Sequence, residues 1–167
     1  MDALDVLIDA AARPVEAATA LRERLTPEVL AAHPGGHDNS PAWLLWHTAR
    51  EIDAQRAGLS GTEQVWTAQG FRERFDLGEL GDGIGYGHTP EQARAVTVTD
   101  ADLLLEHLAA VTDELIRYLR TLDAADLDAV IDTSWEPPVT RGVRLISIID
   151  DAAQHVGQAA YAVGAQR

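Results

Sequence analysis

Asp151 and His155 stand four residues apart in a stretch whose apolar residues recur at helical spacing, so both side chains fall on one face of one helix. The stripe they share, Ile148, Asp151, His155, Ala159 and Ala162, is otherwise apolar. A carboxylate and an imidazole on a core-facing stripe need partners, because burying an unpaired charge is costly. Asp150 precedes Asp151, and one of the two is expected to face solvent. His47 lies in a second helical stretch, enclosed by Trp43, Leu44, Leu45 and Trp46. If the two helix faces meet inside a bundle, His47, Asp151 and His155 form a set of two imidazoles and one carboxylate with open positions. That is the ligand count of catalytic zinc and the donor set of the facial triad of non-haem iron. If they do not meet, Asp151 and His155 satisfy each other and His47 is a hydrogen-bonded core residue. His47 and Glu51 make a competing i,i+4 pair, in which Glu51 is expected to decorate the helix surface beside Arg50.

Other candidates carry less chemistry. His33 and His37 flank Pro34-Gly35-Gly36 and read as polar loop residues. His107, beside a stripe of leucines but among surface-type neighbours, reads as a solvated residue. The run Gly81-Asp82-Gly83-Ile84-Gly85-Tyr86-Gly87 is not a dinucleotide fingerprint, because no strong strand precedes it and no βαβ unit follows; a flexible loop is expected. Gly58-Leu59-Ser60-Gly61 lacks the last glycine of a nucleophile elbow. The absence of cysteine removes disulfides, zinc ribbons, iron–sulfur clusters and a cysteine nucleophile together.

Four helices must position these residues. The first follows Leu4, Ile8, Ala11, Val15, Ala18 and Leu25, with a kink or restart expected at Pro14. The second opens at Ser40-Pro41, an N-cap followed by proline at the first helical position, and stops near Gly58. The third opens at Thr99-Asp100-Ala101-Asp102, read as a capping box with Asp in place of Glu, and follows Leu104, Leu108, Val111, Leu115, Tyr118, Leu119 and Leu122. The fourth runs from about Val143 to Val163. Residues 59–98 form a long crossover with an apolar patch at Trp66 and Phe71, and a short helix capped at Thr89-Pro90-Glu91-Gln92. Alternating β-branched stretches are few. The reading is all-α: a four-helix bundle in one domain over residues 1–167, with the long crossover between helices 2 and 3.

The chain has 167 residues, 46% of them hydrophobic, enough for a buried core. Its 13 basic residues, all Arg, face 27 acidic ones, and the net charge of −14 disfavours nucleic acid and anionic membrane surfaces as partners. No apolar run approaches the roughly 20 residues of a spanning helix, and the start Met1-Asp2-Ala3-Leu4-Asp5 is acidic where a signal peptide is basic, so a cytoplasmic protein is expected. The 28 alanines and the missing lysine are what GC-rich codons produce, and they point to a high-GC bacterium.

Ser40-Pro41-Ala42-Trp43-Leu44-Leu45-Trp46-His47 resembles the second-helix signature of the DinB/YfiT-like superfamily. Asp151-Ala152-Ala153-Gln154-His155-Val156-Gly157-Gln158 resembles its last-helix signature, with Asp at the first ligand position. His33–His37, Glu63–Trp66, Gly85–Thr89 and Trp135–Thr140 are similar to its actinobacterial branch, which includes mycothiol-dependent maleylpyruvate isomerase and mycothiol transferases. The resemblance covers essentially the whole chain. It implies a divalent metal, zinc before nickel or iron, held by His47, Asp151 and His155; Asp151 departs from the His of many members and from the longer Glu of the isomerases. It also implies a transferase or isomerase that takes a low-molecular-weight thiol such as mycothiol and an electrophile. Within that reading Arg141 and Arg144 would hold a substrate carboxylate and His88 would act as acid or base. The alternatives are a metal-dependent hydrolase of a small substrate and a non-catalytic ligand-binding or structural bundle. A homodimer is expected.

Overall fold

A computed structural model describes residues 1–166. The long helices are α1 (Ala3–Thr19), α3 (Pro41–Ser60), α8 (Ala101–Leu119) and α9 (Arg141–Gly164), and the short helices α2 (Pro27–Leu30), α4 (Val65–Ala68), α5 (Phe71–Phe75), α6 (Glu79–Asp82) and α7 (Pro90–Arg94) fall in the connections. α3 packs on both α8 and α9, and α1 packs on the same two helices from the other side, so α1 and α3 lie diagonally across the bundle. The fold is the expected all-α bundle with its long crossover between the second and third long helices. A hairpin of β1 (Val130–Asp132) and β2 (Val139–Thr140), antiparallel with Val130 opposite Thr140, leads into α9. No helix among the described residues is long and apolar enough to cross a membrane.

Each long helix starts on a side chain that accepts a backbone N–H otherwise left without a partner. Asp2 and Asp5 form a reciprocal capping box on α1, Ser40 accepts from Trp43 N on α3, and Thr140 accepts from Val143 N on α9. On α8 the cap is Asp100, accepting from Leu103 N, rather than Thr99; Asp102 is thereby freed from a capping role and pairs with Arg22 instead. α3 ends at Gly61, whose φ of 70° is the left-handed turn that glycine adopts without strain. α1 continues through Pro14 and ends at Thr19; a 3-10 turn over Arg22–Arg24 takes the place of the expected run to Leu25.

The core is contiguous and runs through Leu104, Leu108, Leu115, Leu145, Ile148 and Val156. α3 is unusual in that 15 of its 20 residues are buried, too many for a helix with one free face. The crossover explains this. It folds back over the side of α3 that α8 and α9 leave uncovered, and brings Trp66, Phe71 and Phe75 into the core. The glycine run within it is packed at Gly81 and Gly85 and open at Gly83 and Gly87: a side chain at Gly81 would meet Trp66 at 3.0 Å. Thr89 and Gln92 cap α7 reciprocally, as their spacing predicts.

Candidate metal centre

α3 and α9 bring His47, Asp151 and His155 together. One ligand atom from each lies within 4.8 Å of the other two. His155 Nε2 is 3.4 Å from Asp151 Oδ1, and the rings of His47 and His155 meet edge to face at 4.6 Å between centroids. His47 is buried, whereas Asp151 and His155 are half-buried; Asp150 turns to solvent and takes a hydrogen bond from Gln154. Four residues of helix separate Asp151 from His155, and that spacing alone aligns them. His47 reaches them because α3 packs directly on α9.

Both imidazoles are fixed from behind. His47 Nδ1–H donates to the Ile84 carbonyl, and His155 Nδ1–H donates to Gln158 Oε1 at 3.1 Å. With Nδ1 engaged in each ring, Nε2 is the nitrogen left to ligate a metal, and that of His155 faces Asp151. Trp43 stacks on His47 at 4.6 Å and closes one side of the site. Burial holds the His47 imidazole below its ordinary pKa, while the Ile84 bond pulls the other way. A ring that stays neutral is ready to coordinate. In a tetrahedral zinc site, bonds of about 2.1 Å place ligand atoms roughly 3.4 Å apart. The His155–Asp151 pair has this separation, and the donor types of all three residues fit a divalent ion.

The three residues line a cavity of about 520 Å³, together with Trp43, Glu51, Gln55, Gly85, Tyr86, His88 and Ser147. Here the sequence reading of Glu51 is corrected. It lies one turn beyond His47 and is 5% exposed, on the side of α3 that faces α9 and the cavity. Gln55 donates to its Oε1, and its Oε2 is buried without a partner. Burial, reinforced by the charge on Asp151, pushes the Glu51 carboxyl up to about 9. The i,i+4 spacing from His47 was the available signal.

His88 reaches the cavity from the glycine-rich loop. Trp43 Nε1–H donates to its Nδ1 at 3.2 Å, its ring stacks on Trp46 at 5.8 Å, and burial lowers its pKa. Arg144 lines the adjoining cavity with Gln55 and Asp132, and its Nη2 is 3.5 Å from Asp132 Oδ2. Arg141 is not brought to the site; its Nη1 bonds the Asp126 backbone carbonyl at 3.2 Å. His107 is not solvated as expected. It is wholly buried among Trp66, Phe71 and Phe75. His33 and His37 bond each other's loop: His33 Nδ1–H donates to the His37 carbonyl at 2.9 Å.

Fold and site together define an all-α helical bundle with a candidate His/Asp/His metal centre between two of its long helices. The chain belongs to the DinB superfamily, whose model matches residues 12–159, and members of this superfamily commonly bind metal. Among solved structures it is similar to the crystal structure of the conserved protein of locus from Enterococcus faecalis. The two are 36% identical, the match covers 99% of this chain and 97% of that one, and the TM-score is 0.89. No curated protein matches the chain.

Proposed function

We propose that the protein is a divalent-metal-dependent enzyme that uses a low-molecular-weight thiol, with mycothiol as the first candidate, to transfer to or isomerise an electrophilic substrate. The observation that carries this reading is the pair of histidines, each held by a hydrogen bond at Nδ1 and gathered with Asp151 at the wall of an open cavity. His47, Asp151 and His155 would hold the ion, zinc before nickel or iron. A bound divalent ion lowers the proton affinity of a coordinated thiol, so that thiolate is available near neutral pH. The chain has no cysteine, so the thiol must be a substrate.

The remaining roles belong to this chain's own side chains. With Nδ1 of His88 taken by Trp43, a neutral His88 carries its proton on Nε2, where it can be given to a substrate atom in the cavity. Arg144, steadied by Asp132 at the next cavity along, is placed to hold a carboxylate of the electrophile. Trp43 and Trp46 keep water from the inner wall behind His47 and His88.

The test begins with the metal content of protein purified without an affinity tag, for the wild type and for His47→Ala and His155→Ala. Near-stoichiometric metal, lost in both variants, is expected. Turnover of a panel of electrophiles is then compared with and without mycothiol. Turnover that needs no thiol would replace this reading with metal-dependent hydrolysis. No metal before or after incubation with divalent ions would sink it.

A further inference from the structure

Arg50 is 1% exposed and stands three residues after His47 on α3. A charge so deeply buried is retained only where its donors are used. Its Nε donates to the Gly83 carbonyl at 3.1 Å, its Nη2 to the Asp82 carbonyl at 3.4 Å and its Nη1 to Gln64 Oε1 at 2.8 Å. The guanidinium lies over the Trp66 ring at 4.5 Å, with Asp53 3.7 Å from Nη1. The fork therefore grips two successive backbone carbonyls of the crossover. The next carbonyl along, that of Ile84, is the one that accepts from His47 Nδ1. The residue after it, Gly85, has φ +89°, and a Cβ there would come within 3.0 Å of both His47 Nδ1 and Trp46 and within 3.1 Å of Trp43. Residues 82–85 are thus pinned at one end by Arg50 and pressed at the other against the His47 ring.

We propose that Arg50 is a positioning residue for His47, acting through the backbone of residues 82–85: by holding the Asp82 and Gly83 carbonyls it keeps the Ile84 carbonyl where it takes the Nδ1 proton, leaving Nε2 as the nitrogen free to ligate. This rests on the reading of His47 as a metal ligand only for its consequence, metal affinity; the orientation of the ring is a property of the metal-free protein. A role confined to anchoring the crossover would leave the imidazole tautomer unchanged.

Two variants attack the relay from opposite ends. Arg50→Lys keeps a charge beside Asp53 but cannot span both carbonyls and Gln64 at once. Gly85→Ala leaves Arg50 intact and drives the loop away from the ring. The primary readout is the nitrogen NMR spectrum of histidine-labelled, metal-free protein at neutral pH, with the His47 signals assigned by their loss in His47→Ala. The wild type is expected to show His47 as a single Nδ1–H tautomer. Both variants are expected to show a tautomer mixture at His47 while His155, tied to Gln158, is unchanged. Zinc affinity, measured by competition with a chromophoric chelator, is expected to fall about 10- to 100-fold in each. A wild-type His47 protonated on Nε2 overturns the proposal, and so does a single Nδ1–H tautomer retained in a folded variant. If one variant does not fold, the other and the wild-type spectrum decide. A wild type with the expected tautomer that takes up no zinc would refute the metal reading and leave the positioning of His47 standing.

Discussion

α3 carries two rows of buried polar residues, and they are treated in opposite ways. On the row covered by the crossover, Asp53 is wholly buried and accepts from Val65 N, Trp66 N and Arg56 Nη2, each at 2.8 Å. Arg56 also donates to the Glu63 carbonyl at 3.0 Å, leaving only its Nε without a partner, and Arg50 uses Nε, Nη1 and Nη2. On the row facing α9, His47 has its Nδ1 bonded and its Nε2 free, while Glu51 has one oxygen bonded and the other without a partner. The difference separates two uses of a buried polar group. A network satisfied at all but one donor specifies which piece of chain covers the helix. A half-satisfied one keeps donor and acceptor capacity directed at a space that something else must fill.

The sharpest way to break this comparison is to open the closed row. Asp53→Ala removes the carboxylate beside two buried guanidinium groups and the acceptor of two backbone N–H groups. It is expected to cost about 3–5 kcal/mol of unfolding free energy by urea titration, because the charges left behind are buried. A loss below 1 kcal/mol would show that the network does not hold the crossover. Opening the other row should do the reverse. In metal-free protein His155→Ala is expected to cost much less than Asp53→Ala, since that half-buried ring closes no network. What it should abolish is stabilisation by zinc, which in the wild type amounts to about 2.7 kcal/mol at a free metal concentration 100 times the dissociation constant. Melting curves with and without zinc check this, and a zinc-dependent rise retained in His155→Ala would take the residue out of the site.

The two rows were unequally legible in the sequence. The four long helices were readable because apolar residues recur at helical spacing in each, with a cap signal at the start of α3 and, one residue off, of α8, and His47, Asp151 and His155 were readable because helical spacing and an apolar setting are local properties. Glu51 and His107 were misplaced because what covers each is distant in sequence, α9 and the cavity wall for Glu51 and the crossover for His107. The sequence between Gly61 and Val98 has no long periodic element, and nothing local says which helix it covers. Once it folds over α3 and the edge of α8, residues that look like surface become interior. The outer partners of the two histidines divide the same way. Gln158 is three residues from His155 and lies within the last-helix signature, whereas the Ile84 carbonyl is 37 residues from His47 and is a backbone atom that carries no sequence signal at all.

The pH dependence is the most diagnostic, because Glu51 and His107 titrate with opposite sign. Burial raises the folded-state pKa of Glu51 to about 9, so relative to an unfolded carboxyl near 4.5 its contribution is fully present in acid and is lost as pH rises through that interval. Burial, with the charges of Arg50 and Arg74, lowers the folded-state pKa of His107 to about 3, so its contribution is fully present above about 6.5 and is lost as pH falls toward 3. Each slope is at most about 1.4 kcal/mol per pH unit. Between about pH 4.5 and 6.5 both are active and they oppose one another, so these two groups together leave the wild type nearly flat there. Glu51→Gln should remove the alkaline slope and, in the overlap, expose the rise of stability with pH that His107 imposes. His107→Leu should do the opposite, letting stability fall with pH across the overlap. At pH 7 it should also add about 1 kcal/mol, because both ring nitrogens are buried without partners and leucine has none to satisfy. The measurement is urea unfolding of metal-free protein in steps of half a pH unit. A pH profile of His107→Leu that runs parallel to the wild type from pH 4.5 to 6.5 would mean that His107 finds a partner in solution. The contrast drawn for α3 would then be confined to the cavity beside His47.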